Sequence, residues 1–383
     1  MARLTDEDLR LSTLSRQFPP IDRRGPDALL ELFRRLGPIQ SQVPRAPYLT
    51  ASSRLPGTVY ADLGALFASH QLLKTSSLRG TVHTTVREQF GPADVVARRQ
   101  RAAMLRTVLK LERVTPEELT AEVEAFATDD WRPRAEIVAH LRTWLAEHES
   151  ERAAAAVGDT LSESLIWGHS GLVRRPRDTH WEKRTDIFHR RVRTLLPDLP
   201  LPDFQTALAE LVRVHLGAYG PVLREDLAFF AGVGLGAVDS AVASLGDAVV
   251  RLAGPGRDDY LDLAELADAP VTGPVGTGIR LLPEFDGLLV GFQGRNRFRF
   301  LAEHQLPKVW AKANGLFSPV VLFDGRIVAT WKTVTKGRRT DLEVTMLDPH
   351  PVLTDDLFSD PVAAVERVLD LSVTDVRVRA SAY

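Results

Sequence analysis

Three times along the chain, helical stretches give way to a short β-rich hairpin, and that order limits the fold more than any other feature. In residues 27–36 apolar side chains recur at helical spacing and stop at Gly37-Pro38, a helix-ending pair. A second helix, from about 59 to 70, precedes 72–78 and 81–86, whose β-branched content on either side of Arg79-Gly80 predicts a hairpin. The second round starts at Thr115-Pro116-Glu117-Glu118. Thr115 suits an N-cap, Pro116 the first helical position, and Glu118 can close a capping box. Helices over 134–148 and about 160–167 follow, then a strand at 171–176 entering a second wing. The third round has helices at 204–216, 224–230 and 235–245, then a hairpin from 249–253 to 260–263. Helices followed by a hairpin suggest a winged helix, here in three tandem copies.

After about residue 272 the pattern changes to period two at 279–283, 319–323, 326–331 and 341–347, the strands of a small sheet. Asp324-Gly325 is a favoured two-residue turn, and Lys336-Gly337-Arg338-Arg339 places positive charge at the tip of the next hairpin. The expected fold is mainly α with β (α+β), in units at 1–110, 111–198, 199–270 and a C-terminal β-element at 271–383, with proline-containing joints at 197–202 and 270–274.

Composition narrows the chemistry. With 26% charged residues and no run of eighteen apolar ones, neither a membrane span nor a secretory leader is readable, so a cytoplasmic protein is expected. The absence of cysteine excludes disulfides, thiol nucleophiles and thiolate-held zinc or iron–sulfur sites in this chain. A formal net charge of −2 requires any nucleic-acid contact to come from a local basic face. Only seven of the 48 basic residues are lysine, a bias that a GC-rich genome accounts for as readily as phosphate binding. Gly232-Val-Gly-Leu-Gly236 lacks the spacing and the lysine of a phosphate loop, and Gly168-His-Ser-Gly171 is one residue short of a nucleophile elbow. The ten histidines are scattered without metal-ligand spacing, and no cofactor is implied.

Gln40-Ser41-Gln42 is the sharpest chemical feature. Two side-chain amides two residues apart can hold one water, but a neutral amide cannot deprotonate it strongly. Such a pair suits only a bond already weakened, as in the glycosidic link of a purine alkylated on its ring nitrogen. On residue chemistry alone, two glutamines at the end of an amphipathic helix, just before a proline-rich loop, are in most proteins solvated surface.

Gln40-Ser-Gln42 with Val43-Pro-Arg-Ala-Pro-Tyr48, Arg79-Gly-Thr-Val-His83, Ala218-Tyr-Gly-Pro221, Leu281-Leu-Pro-Glu-Phe-Asp286 and Val328-Ala-Thr-Trp331 together resemble the bacterial winged-helix DNA-binding family of AlkZ-like alkylpurine-DNA glycosylases. The resemblance runs through nearly the whole chain. It implies three tandem winged helices forming a concave, DNA-embracing body with a C-terminal β-element. It also implies hydrolysis of the N-glycosidic bond of bulky or crosslinking N7-alkylated purines in double-stranded DNA, leaving an abasic site. In the family's Gln-x-Gln branch the two glutamines are the catalytic pair, which places those roles on Gln40 and Gln42. Ser41 departs from the aliphatic residue usual between them. The expected DNA contacts are Arg54, Arg79 and His83 near the motif, Arg295 and Arg297 after Gly291-Phe-Gln-Gly294, and Lys332, Lys336, Arg338 and Arg339 around the last hairpin. Glu284 and Asp286 read as a structural turn in preference to a catalytic carboxylate pair. Three units in one chain favour a monomer, whereas the rival reading, a non-catalytic winged-helix regulator, favours a two-fold dimer. The lesion stays open, as does the choice between self-resistance to a DNA-alkylating natural product and general repair.

Overall fold

Helix starts follow local capping chemistry. In α1 (Asp6–Gln17) the Thr5 hydroxyl accepts from the Asp8 amide while the Asp8 carboxylate accepts from the Thr5 amide, so two free donors are satisfied at once. Thr115 and Glu118 repeat that box at the helix Pro116–Phe126, as the sequence predicts. The computed structural model describes residues 3–158, 168–185, 187–256, 259–268, 276–313, 315–337 and 339–380. The helix expected at about 160–167 and the joint at 270–274 lie outside these residues.

The amphipathic helix α2 (Pro26–Leu36) buries Ala28, Leu29, Leu32, Phe33 and Leu36. It ends at Gly37, where φ is +74° and a Cβ would stand 2.6 Å from the Val214 side chain. Glycine is therefore required there on two counts, the left-handed backbone and the close approach. The chain then enters β1 (Ile39–Gln40).

The structure corrects the expectation of separate first and second wings. One six-stranded sheet runs in the order β1-β3-β2-β5-β6-β4, with β2 (Leu72–Ser76), β3 (Val82–Val86), β4 (Arg132–Pro133), β5 (Leu172–Arg175) and β6 (Phe188–Arg191). Thr75 pairs with His83 on one side and Val173 on the other, and Arg174 donates to the Ser76 hydroxyl at 2.7 Å. Pairing covers the free edge of β2, whose five residues are all buried.

The helices Phe204–Tyr219, Arg224–Ala231 and Leu235–Leu245, followed by the antiparallel pair Val249–Ala253 and Asp259–Leu263, match the third expected round. Phe204–Tyr219 is the pillar of a core that takes in Leu14, Leu78 and Val96 from the N-terminal part and Leu282, Leu288 and Phe292 from the C-terminal part. A five-stranded C-terminal sheet is formed by Ile279–Leu282, Val320–Phe323, Arg326–Lys336, Arg339–Met346 and Val373–Arg379, the last pair parallel across the helix Ser359–Leu369. Its turn at Asp324-Gly325 has φ of +47° and +76°, as that dipeptide predicts. Leu281, Val321, Trp331 and Val344 share a core with Leu32, Phe33, Tyr48 and Leu49, so this sheet packs directly behind the glutamine motif. Among the described residues no single helix is long and apolar enough to cross a membrane.

Candidate active site

β1 is a two-residue edge strand that aligns Ile39 with Thr84 and Gln40 with His83. The Ser41 amide continues the ladder by donating to the Val82 carbonyl at 2.7 Å. Extended backbone alternates its side chains, so Gln40 and Gln42 share one face and Ser41 takes the other. Gln40 Nε2 donates to Gln42 Oε1 at 2.8 Å. The Ser41 hydroxyl donates to the Ile39 carbonyl at 2.8 Å and lies 2.9 Å from the Thr84 hydroxyl, which explains how a polar group is accommodated there. Gln40 is buried and Gln42 exposed, so the pair runs from the protein interior out to solvent.

The segment read as a proline-rich loop is largely the helix Ala46–Arg54, whose nine residues are all buried. Proline near its start is compatible with a first helical turn. Arg45, immediately before it, is 2.6 Å from Glu284 and 3.2 Å from the Thr333 hydroxyl. Arg54, in its last turn, is 2.9 Å from Asp286 and 3.1 Å from the Gln17 side-chain oxygen. Two arginines thus clamp the motif helix to the Leu282–Asp286 turn, and Asp286 also caps the short helix Gly287–Val290 through the Leu288 amide at 3.0 Å. Glu284 and Asp286 are structural partners of arginines.

Behind Gln40 lies a cavity of about 20 Å³ lined by Thr50, Arg54, Arg79, His83 and Tyr219 among others. That is room for about one water and far too little for a purine. Arg79 Nη2 donates to Gln40 Oε1 at 3.3 Å and its Nη1 to the Phe230 carbonyl at 2.8 Å. Burial pushes the Arg79 guanidinium down to about 10, which leaves it charged at neutral pH. Burial and the Arg79 charge push His83 down to about 3, so its ring is neutral. Its Nδ1 sits 3.0 Å from the Thr81 carbonyl, which can only accept, and Nε2 is therefore left as the acceptor.

The pattern of the family described as "DNA glycosylase AlkZ-like" matches residues 33–369. The chain belongs to the AlkZ-like DNA glycosylase family. It is an enzyme of the class that hydrolyses N-glycosyl bonds, with DNA as substrate, which sets aside the reading of a non-catalytic regulator. An "interstrand DNA cross-link repair glycosylase" of Streptomyces sahachiroi is 26% identical over 375 residues, covering 92% of each chain. The solved Streptomyces sahachiroi DNA glycosylase AlkZ shares the fold with a TM-score of 0.78 at 23% identity, covering 99% of this chain and 100% of that one.

In this AlkZ-like chain the expected site residues divide by environment. Gln40, Gln42, Arg79 and His83 come together around the cavity mouth. Arg54 is a correction: its side chain is 1% exposed and committed to Asp286, so it closes the cavity floor and presents nothing to a phosphate. Arg297 is a second, buried with its guanidinium 5.2 to 5.6 Å from the rings of Phe229, Trp310 and Phe317. His83, neutral and 1% exposed, is also unsuited to holding a phosphate. Arg295 is exposed, far along the chain from the motif. On the long hairpin, Lys332 lies 3.3 Å from Glu343 and Arg339 2.8 Å from Asp341, whereas Lys336 stands exposed at the last strand position; Arg338 lies outside the described residues. Arg45, Gln17 and Thr84 escape a reading of the sequence, since each acts through a partner that only the fold supplies.

The neutral histidines make stability pH-dependent. His83, His189 and His215 are buried and pushed down to about 3, chiefly by burial. Their folded values lie below the unfolded value of about 6.5, so the unfolded chain binds more protons and stability falls as pH drops below that value. Between pH 7.5 and 5.5 each should remove on the order of 1 kcal/mol. Urea unfolding at the two pH values measures this, and equal free energies would mean that the rings are not held neutral.

Proposed function

We propose that this glycosylase hydrolyses the N-glycosidic bond of bulky or crosslinking N7-alkylated purines in duplex DNA, acting as a monomer. The carrying observation is the neutral amide pair, Gln40 Nε2 to Gln42 Oε1 at 2.8 Å, running from a water-sized cavity to solvent. N7-alkylation makes the purine a cationic leaving group, so the bond needs little acid catalysis. Water attacks C1′, the glycosidic electron pair returns to the purine ring and neutralises it, the water's proton passes to solvent, and an abasic site remains. The enzyme's part is to place the water and to stabilise the sugar cation with preorganised amide dipoles. A strong base is not required for that. Glu284 and Asp286, the nearby carboxylates, are both held by arginines. The name of the Streptomyces sahachiroi relative supports extending the substrate range to interstrand crosslinks. The cavity is too small to receive the purine, which favours attack on a nucleotide that stays outside it.

The test is incubation with duplexes carrying a 7-methylguanine, a bulkier N7-guanine adduct or an interstrand crosslink, followed by heat or alkali. Strand breaks at the adduct are expected; strands left intact in every duplex would sink the reading.

The long hairpin is the proposed DNA-contacting element, because its Thr333 touches Arg45, three residues beyond Gln42, while its tip carries exposed Lys336 and Arg339. Neutralising Lys336, Arg338 and Arg339 together should weaken binding alike across sequences. The slope of log affinity against log salt should fall by about 1 for each phosphate that is no longer neutralised. An unchanged slope removes the hairpin from the interface.

A further inference from the structure

The direction in which an amide points decides which of its atoms remain for a water. Gln40 has its carbonyl oxygen toward Arg79 at 3.3 Å and its NH2 toward the Gln42 carbonyl oxygen at 2.8 Å. A guanidinium carries only donors, so this is the matched arrangement. Turned by half a rotation, Gln40 would set its NH2 against Arg79 and its oxygen against the oxygen of Gln42. Arg79 is itself held from several sides. Its Nη1 donates to the Phe230 carbonyl at 2.8 Å, and its guanidinium lies 4.9 Å from the centre of the Phe229 ring. Its backbone is left-handed, with φ +54° beside Gly80 at +71°, a conformation that a residue with a side chain adopts at a cost. Here that turn delivers the guanidinium to Gln40.

We propose that Arg79 is a positioning residue for the hydrolysis: it fixes the amide direction of Gln40, and through Gln40 that of Gln42, leaving the exposed Gln42 carbonyl oxygen as the acceptor for the attacking water. The inference rests on the water-positioning reading above. It replaces the phosphate contact that the sequence suggests for Arg79, since each terminal nitrogen of the guanidinium already donates within the protein, one to the Phe230 carbonyl and the other to Gln40.

The test uses the full chain, a duplex containing 7-methylguanine, and the variants Arg79→Gly and Arg79→Lys. Glycine suits the left-handed backbone and leaves a gap the size of the missing side chain. In Arg79→Gly, single-turnover excision at saturating enzyme should fall about 10²-fold, the loss expected from small misplacement of a reacting group. Affinity for the same duplex should stay within about threefold and the salt slope should not change, because the substitution removes no partner of a phosphate. Millimolar guanidinium chloride should restore part of the rate, where equal sodium chloride does not. Arg79→Lys should lose roughly tenfold, because a single ammonium cannot reproduce the planar fork that reaches Phe230 and Gln40 together. Wild-type rates in both variants overturn the proposal. So does a salt slope lowered by about 1 with the saturated rate preserved, which assigns Arg79 to a phosphate. Should Arg79→Gly not fold, Arg79→Lys decides by the same rate and slope. Excision that depends on Gln40 but ignores Arg79 defeats this inference alone; excision indifferent to Gln40 defeats the reading beneath it.

Discussion

Gln40→Ala is expected to slow excision of 7-methylguanine by about 10² to 10³-fold, the range seen when one preorganised hydrogen-bonding group is removed from an active site. The truncation takes away the donor that orients Gln42 and the acceptor that Arg79 faces, so both neighbours lose their alignment. Gln42→Ala should cost a similar factor by a different route: Gln40 keeps Arg79, but the solvent-facing amide is gone. Two groups that hold one water act as a unit, so the double variant should be little slower than either single one. Gln40→Glu separates geometry from charge. Its carboxylate would pair with Arg79 yet have no hydrogen to give Gln42, and activity should stay low although size is conserved. Duplex affinity should hardly change in the alanine variants, because a neutral amide displaces no counterion from DNA. Single-turnover rates alongside binding isotherms make the measurement, and full activity in both alanine variants would end the catalytic assignment.

Local chemistry is legible in the sequence where a few neighbouring residues determine the outcome. The Thr115–Glu118 box and the Asp324-Gly325 turn need only their own side chains, and the stop at Gly37-Pro38 only a helix to end. The glutamine pair belongs with these, since a spacing of two on extended backbone puts both amides on one face. Long-range pairing is not legible. Nothing within residues 171–176 announces that the strand there will close onto Thr75, a hundred residues earlier, so two expected wings form one sheet. The helix Ala46–Arg54 is hidden by prolines at 44 and 47, which signal a loop unless one of them falls in a first turn. The arginines show the same limit in the site. Arg54 and Arg297 read as phosphate ligands because an arginine in a sequence looks exposed until its partner is known, and Asp286 lies 232 residues away from Arg54. Arg79 sits in the neighbourhood the sequence indicates, but its bond to Gln40 exists only once β1 lies beside β3.

Asp286→Ala should destabilise the fold by about 3–5 kcal/mol, the cost of leaving one member of a buried ion pair without its counterion. Asp286 is 0% and Arg54 1% exposed in their side chains, at 2.9 Å, so water cannot take over when the carboxylate is removed. The same substitution uncaps the helix Gly287–Val290, which adds about 1 kcal/mol. Glu284→Ala is the internal control. Its pair with Arg45 is 23% and 10% exposed, so solvent can hydrate the orphaned guanidinium in part and the loss should be clearly smaller. An apolar pair, Arg54→Met with Asp286→Leu, should recover much of the loss, because desolvating two charges offsets most of their attraction. Urea unfolding of the four proteins gives these free energies, and a cost below about 1 kcal/mol for Asp286→Ala would mean the pair is hydrated as surface pairs are. The consequence reaches the chemistry, since Arg54 ends the helix that starts four residues after Gln42. Freed from Asp286, that helix keeps the Arg45 contacts at its start but loses the ion pair at its end, and excision by Asp286→Ala should decline well below its unfolding midpoint while Glu284→Ala stays near the wild-type rate.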